Sequence, residues 1–513
     1  MKKLLSLMLA LVMVFSLAAC SGGNDNPGGG NTNPPGGGDN PGGGSEGGLI
    51  NFDEDPYEVS IQFIGLFEAN NDIAAVEEAL NAITVPKINC KVDIVPLFIG
   101  DMPSTTSLGV VGGEKMDIVA VGLTYAMSSM VKDDLLLPLD DLLAERGQAA
   151  LEVTKNVAAA QKINGKTYAL TGYSYAAVGG GFVYNADMAK EYGIDMHNGM
   201  TYEELSAAGE ILKEHGVYLT TVGGGTQLFL KYVSANDYFG SSGEYGCIID
   251  PANSTTIVNT YDTQEIRDYF KAVKSWGDAG YMPAGRLTDT NTTQDYMRQQ
   301  KIFGTYTAYT ANQLASWQFG GFESGMVMTS DALISTGGAV EFMLGIAANC
   351  KRPDKAMDLI NLIYSDPEVA NLLQYGVEGL DYVAVEGTEN VITREGTGNA
   401  DGNGYSSSFV HYGNPMDLKI LAPLTDSLYA DMQNLEDNAK KSQAFGYIFD
   451  AADYSAEAAA INNVLAEKLP MLNAGEAADV DAAVDDLVAA LKVAGIDKVI
   501  AANQEQLDAY LGK

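Results

Sequence analysis

The 513-residue sequence carries 67 acidic against 30 basic residues, a formal charge of −37, with a hydrophobic content of 46%. A field of that sign excludes nucleic acid and anionic membrane surfaces as partners and favours neutral or cationic small solutes. Four cysteines without a CxxC, and three histidines (His197, His215, His411) without shared ligand spacing, point away from a disulfide framework, a zinc site or any other resident metal or cofactor.

The chain opens on Lys2-Lys3, an apolar run from Leu4 to Leu17, then Ala18-Ala19-Cys20. That order of charged, apolar and small residues predicts a signal peptide over 1–19, the run being shorter than the roughly 20 residues a spanning helix needs. Leu17-Ala18-Ala19-Cys20 resembles the lipobox of bacterial lipoproteins. The resemblance implies a diacylglycerol on Cys20 and a mature chain outside the cytoplasm, held to the bacterial cell membrane by lipid. A plain signal peptide with an incidental cysteine is the alternative. Between Ser21 and Gly48, 13 of 28 residues are Gly and 4 are Pro, with no Val, Ile, Leu or aromatic. Such a segment buries too little apolar surface to offset the entropy of ordering it. Residues 20–48 therefore read as a lipidated tether with a reach of roughly 30 Å.

From about Pro56 the composition turns globular and is too long for one core, so two or three domains are expected. Val59–Gly65, Lys91–Val95 and Asp117–Gly122 read as strands, and Ile73, Val76, Leu80 and Ile83 recur at helical spacing between the first two. Alternation of this kind predicts βαβ units in a parallel sheet, with ligands bound at loops beyond the strand C-termini. Leu66-Phe67-Glu68 and Leu123-Thr124-Tyr125 are the first such loops. A second α/β portion begins at Gly181–Asp187, and Thr201 with Glu204 forms a capping box. From Ala456 the tail is helical, with Ile461, Val464 and Leu465, then Val480, Val484, Leu487, Val488 and Leu491 keeping the period. Cys90, Cys247 and Cys350 read as buried thiols, one pair of which an oxidising compartment would allow to bridge.

Several phrases in this order, Asp117-Ile118-Val119, Leu137-Pro138-Leu139-Asp140-Asp141, Asn164 to Leu170, Tyr184-Asn185-Ala186-Asp187, Thr201 to Leu205, Lys355 to Ile360 and Ser365-Asp366-Pro367-Glu368, resemble the family 1 extracellular solute-binding proteins. Tyr375 to Tyr382 and Gly495-Ile496-Asp497 resemble a longer branch with an extra C-terminal region. The resemblance implies an α/β, two-lobed periplasmic-binding-protein-like fold of type II, with a hinge and an interlobe cleft. One lobe would comprise 56–171 plus about 326–383. The other would comprise 172–325 plus about 384–513, including the helical extension. It further implies a monomeric receptor with no cofactor, closing on a solute such as an oligosaccharide and delivering it to the permease subunits of an ABC importer. Two departures stand out. Gln300-Lys301-Ile302-Phe303 replaces a Gly-Lys-Ala-Ala-Met-like strand, and Thr171 stands where the family has a hinge proline.

Sugar sites stack flat amphipathic rings on pyranose C–H faces and aim polar groups at hydroxyls. With 27 Tyr against 2 Trp, tyrosine is the available platform. The expected binding residues are Phe67, Glu68, Tyr125, Tyr173, Tyr175, Gly224, Tyr306, Tyr309, Trp317, Asp381 and Tyr382. Of these, Tyr309, Tyr125 and Tyr173 follow from the resemblance. Trp276, amid Phe270, Val273 and Tyr281, reads as packing, and Gly179-Gly180-Gly181 as a bulge or turn. Asn399, Asp401, Asn403 and Gly404 match the start of a calcium loop, but Val410 stands where the bidentate Glu belongs, so the segment reads as a glycine-rich turn. Ser129-Met130-Val131-Lys132 with Ser234-Ala235-Asn236 hints at an acyl enzyme but lacks KTG. Two carboxylates for glycoside hydrolysis cannot be picked out of 67. A non-enzymatic receptor is the expectation. A peptide or amino-sugar receptor, a glycan-degrading enzyme and a surface adhesion protein are the alternatives.

Overall fold

The computed structural model describes residues 49–65, 72–172, 176–222, 235–319, 321–400, 404–405, 407 and 413–513. Cys20 and the glycine-rich segment lie outside the described residues. The longer strands, in chain order, are β1 (Tyr57–Gly65), β2 (Cys90–Phe98), β3 (Ile118–Gly122), β4 (Ala169–Thr171), β5 (Ala177–Asn185), β6 (Gly304–Tyr309), β7 (Ser324–Ile334) and β8 (Phe342–Ile346), with the short β9 (Lys440–Lys441). They form two sheets, ordered β2-β1-β3-β8-β4 and β6-β5-β7-β9.

In the first sheet β1 runs parallel to β2 and β3, with Ile61 opposite Ile118, as alternation of strand and helix demands. Strand β8 departs from the parallel expectation and runs antiparallel to both β3 and β4. It is reached from the other sheet and not through a crossover helix, so nothing forces it parallel. Six consecutive residues of β1 are buried, because helices cover both faces. The polar members of that run are paired. Asp117 accepts from the Ser60 amide at 3.0 Å and the Tyr57 hydroxyl at 3.1 Å, and the Gln62 amide reaches Thr106 at 3.1 Å.

The helices that matter here are α1 (Ile73–Ile88), α2 (Met127–Lys132), α3 (Tyr202–Glu214), α4 (Gln264–Ala279), α5 (Pro353–Ser365), α6 (Pro367–Tyr375), α7 (Leu428–Asn438), α8 (Ser455–Asn473), α9 (Val480–Ala494) and α10 (Ile496–Tyr510). Helix α1 buries Val76 and Leu80, the positions its periodicity selects. Helix α3 starts on the Thr201–Glu204 capping box with both reciprocal bonds formed. Trp276 on α4 is buried in the second core, its indole N–H donating to Ser206 at 2.8 Å. Helices α8 to α10 seat Ile461, Val484, Leu487, Leu491 and Leu507 in that same core. One hydrophobic core thus lies around the first sheet and another around the second.

Two segments sit in a different lobe from the one expected. Residues 326–334 belong to β7, which pairs with β5 in the second sheet, so the chain re-enters the first body only at β8. The described residues of 384–421 stay with the first body. Lys419 donates its amide to Asn371 on α6 at 2.7 Å, Tyr375 donates to the Lys419 carbonyl at 2.7 Å, and the Tyr405 ring packs on Phe63. The final passage to the second sheet comes between Leu421 and Lys440. Gly179-Gly180-Gly181 is neither bulge nor turn but the middle of β5; the register slips instead in β7, opposite it.

Candidate functional site

The first passage between sheets leaves β4 at Thr171, whose position is held from three directions. Its amide, which a proline would lack, donates to Gln161 at 3.0 Å, its hydroxyl donates to the Phe342 carbonyl at 3.4 Å, and its own carbonyl accepts from Tyr364 at 2.7 Å. The second passage runs from β7 to β8. Gly122, at the C-terminal end of β3, lies against it with φ of 94°. A Cβ there would meet the Val340 and Glu341 carbonyls at 2.6 and 2.5 Å, so only glycine lets the strand end approach so closely.

Where these passages meet the strand ends, a cleft of about 670 Å³ opens between the two bodies. The first body contributes Gly122, Leu123, the start of α2 and Glu341; the second contributes the start of β5, 235–241, Tyr245, Ala308, 310–313, Glu436 of α7 and 447–449. This is the position at which open α/β sheets place ligands. Two aromatic pairs back its wall, with Phe239, Tyr447 and Phe449 seated in the second core and Tyr245 packed against it. Phe239 and Tyr447 meet edge-to-face with centroids 5.7 Å apart, as do Tyr245 and Phe449 at 5.4 Å. Amides and hydroxyls stand among them, including Asn236, Ser241, Asn312 and Gln313. Asn236 Nδ2 is buried with no partner among the described residues. Gln313 donates to Thr307 at 3.0 Å, which orients its side chain.

Three carboxylates and no Lys or Arg are among the described lining residues. Glu436 Oε2 accepts the Ala176 and Ala177 amides at 3.0 and 2.9 Å, so this α7 carboxylate holds the start of β5 while lining the cleft. Burial raises its pKa against the pull of those amides. Asp237 accepts the Ser442 hydroxyl at 2.6 Å and is pushed by burial up to about 6. Glu341 is exposed.

The expected binding residues distribute unevenly. Phe67, Glu68, Tyr173, Tyr175 and Gly224 lie outside the described residues. Tyr125 belongs to a loop that reaches the cleft through Leu123 and Ala126, but its own ring turns into the first core and its hydroxyl donates to Asp133 at 2.9 Å. Tyr309 is flanked by the cleft residues Ala308 and Thr310. Alternation along β6 turns it to the other face, where its Cβ covers Gly179 and Gly181. Those two glycines leave the room it occupies.

Four others take packing roles. Tyr306 meets Phe182 and Tyr269 edge-on in the second core. Trp317 is buried with Val183, Met297 and Ile302. Asp381 is fully buried and accepts the amides of Val377 at 2.8 Å and Tyr405 at 3.1 Å. Tyr382 packs on Tyr375. Each is the outcome of a side chain finding apolar surface or orphan amides before it finds a cleft. Asn399 likewise spends both side-chain atoms on the backbone of Gly404 and Tyr405, while Asp401 and Asn403 lie outside the described residues.

The aromatic residues that line the cleft are not among the expected binding residues. Tyr238-Phe239-Gly240 and Gly446-Tyr447-Ile448-Phe449 carry a legible signal, paired aromatics beside glycine outside any helix or long strand. Their partnership across 200 residues is not a local property.

Comparison with known proteins agrees with this architecture. Residues 79–380 match the family model described as bacterial extracellular solute-binding protein, and 443–512 match a domain of unknown function, DUF3502. A carbohydrate ABC transporter substrate-binding protein of Streptococcus pneumoniae serotype 4 is 27% identical over 446 residues, 84% of this chain and 87% of the relative. The N-glycan transport solute binding protein NgtS of Streptococcus pneumoniae superposes with a TM-score of 0.78 at 23% identity, covering 89% of this chain and 99% of that one. Its complexes with Man1GlcNAc and Man5GlcNAc superpose at 0.71 and 0.66. An HMO binding, ABC-transporter associated solute binding protein of Bifidobacterium longum infantis reaches 0.61 at 15% identity, covering 89% and 99%. These are binding proteins, not enzymes, and the acyl-enzyme and glycosidase alternatives lose their support.

Proposed function

The chain belongs to the bacterial extracellular solute-binding protein family, and we propose that it captures a neutral oligosaccharide in the interlobe cleft for an ABC importer. The observation that carries this reading is the make-up of the cleft: two edge-to-face aromatic pairs interleaved with amides and hydroxyls, and no cationic side chain among its described lining residues. Rings of this kind take sugar C–H faces, and the amides and hydroxyls both donate and accept for sugar hydroxyls. The cleft volume is in the range that small-molecule sites occupy. An oligosaccharide also agrees with what the relatives are named for binding.

Three carboxylates line the cleft, and their field works against an anionic ligand. Two of the three are already engaged, Glu436 by backbone amides and Asp237 by Ser442. In this reading the solute bridges the two bodies and stabilises the closed state by its differential affinity, and the permease recognises that state. Cys20 bears the lipid, the glycine-rich segment is the tether, the protein acts as a monomer, and Phe67, Glu68, Tyr173, Tyr175 and Gly224 are further ligand-binding residues.

A thermal-shift screen followed by calorimetry, against Man1GlcNAc, Man5GlcNAc, kestose, short peptides and polyamines, tests the proposal. Stabilisation by a neutral oligosaccharide without turnover is the expected result. Stabilisation by peptides or polyamines alone would overturn it.

A further inference from the structure

The C-terminal stretch 443–512, which matches the family model of a domain of unknown function, does more than extend the second core. Its first residues supply Tyr447 and Phe449 to the cleft, and its last helix determines where they stand. Asn503 on α10 is fully buried. Its Oδ1 accepts the Tyr447 hydroxyl at 2.7 Å, while its Nδ2 donates to the Tyr245 carbonyl at 2.9 Å. Tyr245 is the ring partner of Phe449. One amide therefore ties together the two chain segments whose rings form the wall. Three residues further on, Gln506 brackets Asp450, accepting its amide at 2.9 Å and donating to its carbonyl at 3.0 Å.

A buried amide is costly unless both ends are paired, and here the pairing is met by groups of the cleft wall. Moving α10 would unpair Asn503 and shift both rings. The C-terminal helices and the wall are thus one mechanical unit.

We infer that residues 443–512 are a ligand-binding element of the cleft, presenting Tyr447 and Phe449 to a sugar ring, with Asn503 as the positioning residue that sets the aromatic corner. This rests on the reading of the cleft as an oligosaccharide site. The test uses the full chain and two variants, Asn503→Ala and Phe449→Ala. Hydrogen exchange is followed without ligand, and calorimetry is run with Man5GlcNAc and kestose.

Asn503→Ala is expected to speed amide exchange in 239–248 and 445–450 while leaving 57–65 unchanged. Each variant is expected to weaken whichever sugar the parent binds by about tenfold, the loss of one well-seated aromatic contact. A purely structural Asn503 would lower the melting temperature and leave both the local exchange pattern and the affinity alone, which overturns the positioning role. Unchanged affinity in Phe449→Ala, with the parent binding normally, overturns the binding role of the module by itself. A parent that binds neither sugar overturns it together with the functional reading.

Discussion

Tyr364 on α5 donates its hydroxyl to the carbonyl of Thr171 at 2.7 Å, joining a helix of the first body to the last residue of β4, where the chain leaves for the second. Both residues are buried. The first passage is therefore clamped where it begins, so bending is expected beyond Thr171. Removing one such bond costs about 1 kcal/mol. Tyr364→Phe should lower stability by that order in urea titration and leave ligand affinity unchanged if the bend lies further along. A changed affinity would place the pivot at Thr171 itself.

Asp237 makes a prediction about pH. Burial holds its carboxyl up at about 6, above the unfolded value near 4, so between those limits the folded chain binds more proton than the unfolded one. Stability from this group is thus greatest at low pH and falls as pH rises through 4 to 6. Asp237→Asn, which keeps an acceptor for Ser442, should stabilise the protein by about 1–2 kcal/mol at pH 7.5. The gain should vanish near pH 4. An equal gain at both pH values would mean that charge is not the cause.

Asp381 reads from sequence as a ligand contact but holds a turn. Its carboxylate satisfies the amides of Val377 and Tyr405, and a Cβ at Gly376 would lie 2.3 Å from it. Asp381→Ala leaves those amides unpaired in a buried site and should cost about 1–3 kcal/mol. Oligosaccharide affinity of the folded protein, measured by calorimetry well below the melting temperature, should match the parent. Weaker binding with normal stability would return Asp381 to the site.

Charge should discriminate among glycans. With Asp237, Glu341 and Glu436 on its lining, the cleft repels anions. A sialylated oligosaccharide should bind at least about tenfold more weakly than its neutral parent, the equivalent of roughly 1.4 kcal/mol. Raising the salt should narrow the gap. Equal affinity would show that the sugar acid points away from these carboxylates.

Local pattern was enough for the first strands and helices and for the α/β class, while the two-lobed type followed from the resemblance. The apolar runs of β1 to β3, the spacing of Val76 and Leu80, and the Thr201–Glu204 box are instructions written within a turn or a strand, and the chain obeys them. Acidity, and the want of any metal or nucleophile pattern, narrowed the chemistry in the same way. Which aromatic faces the cleft is another matter. Tyr306 and Tyr309 lie three residues apart on one strand, yet one is core and the other covers two glycines, while the cleft wall comes from Tyr245 and Phe449. Only the folded chain could decide that. A ring's destination depends on which distant surface offers it burial and which distant amide takes its hydroxyl, and in this protein the amide that settles the wall, Asn503, is 56 residues from Tyr447 and 258 from Tyr245.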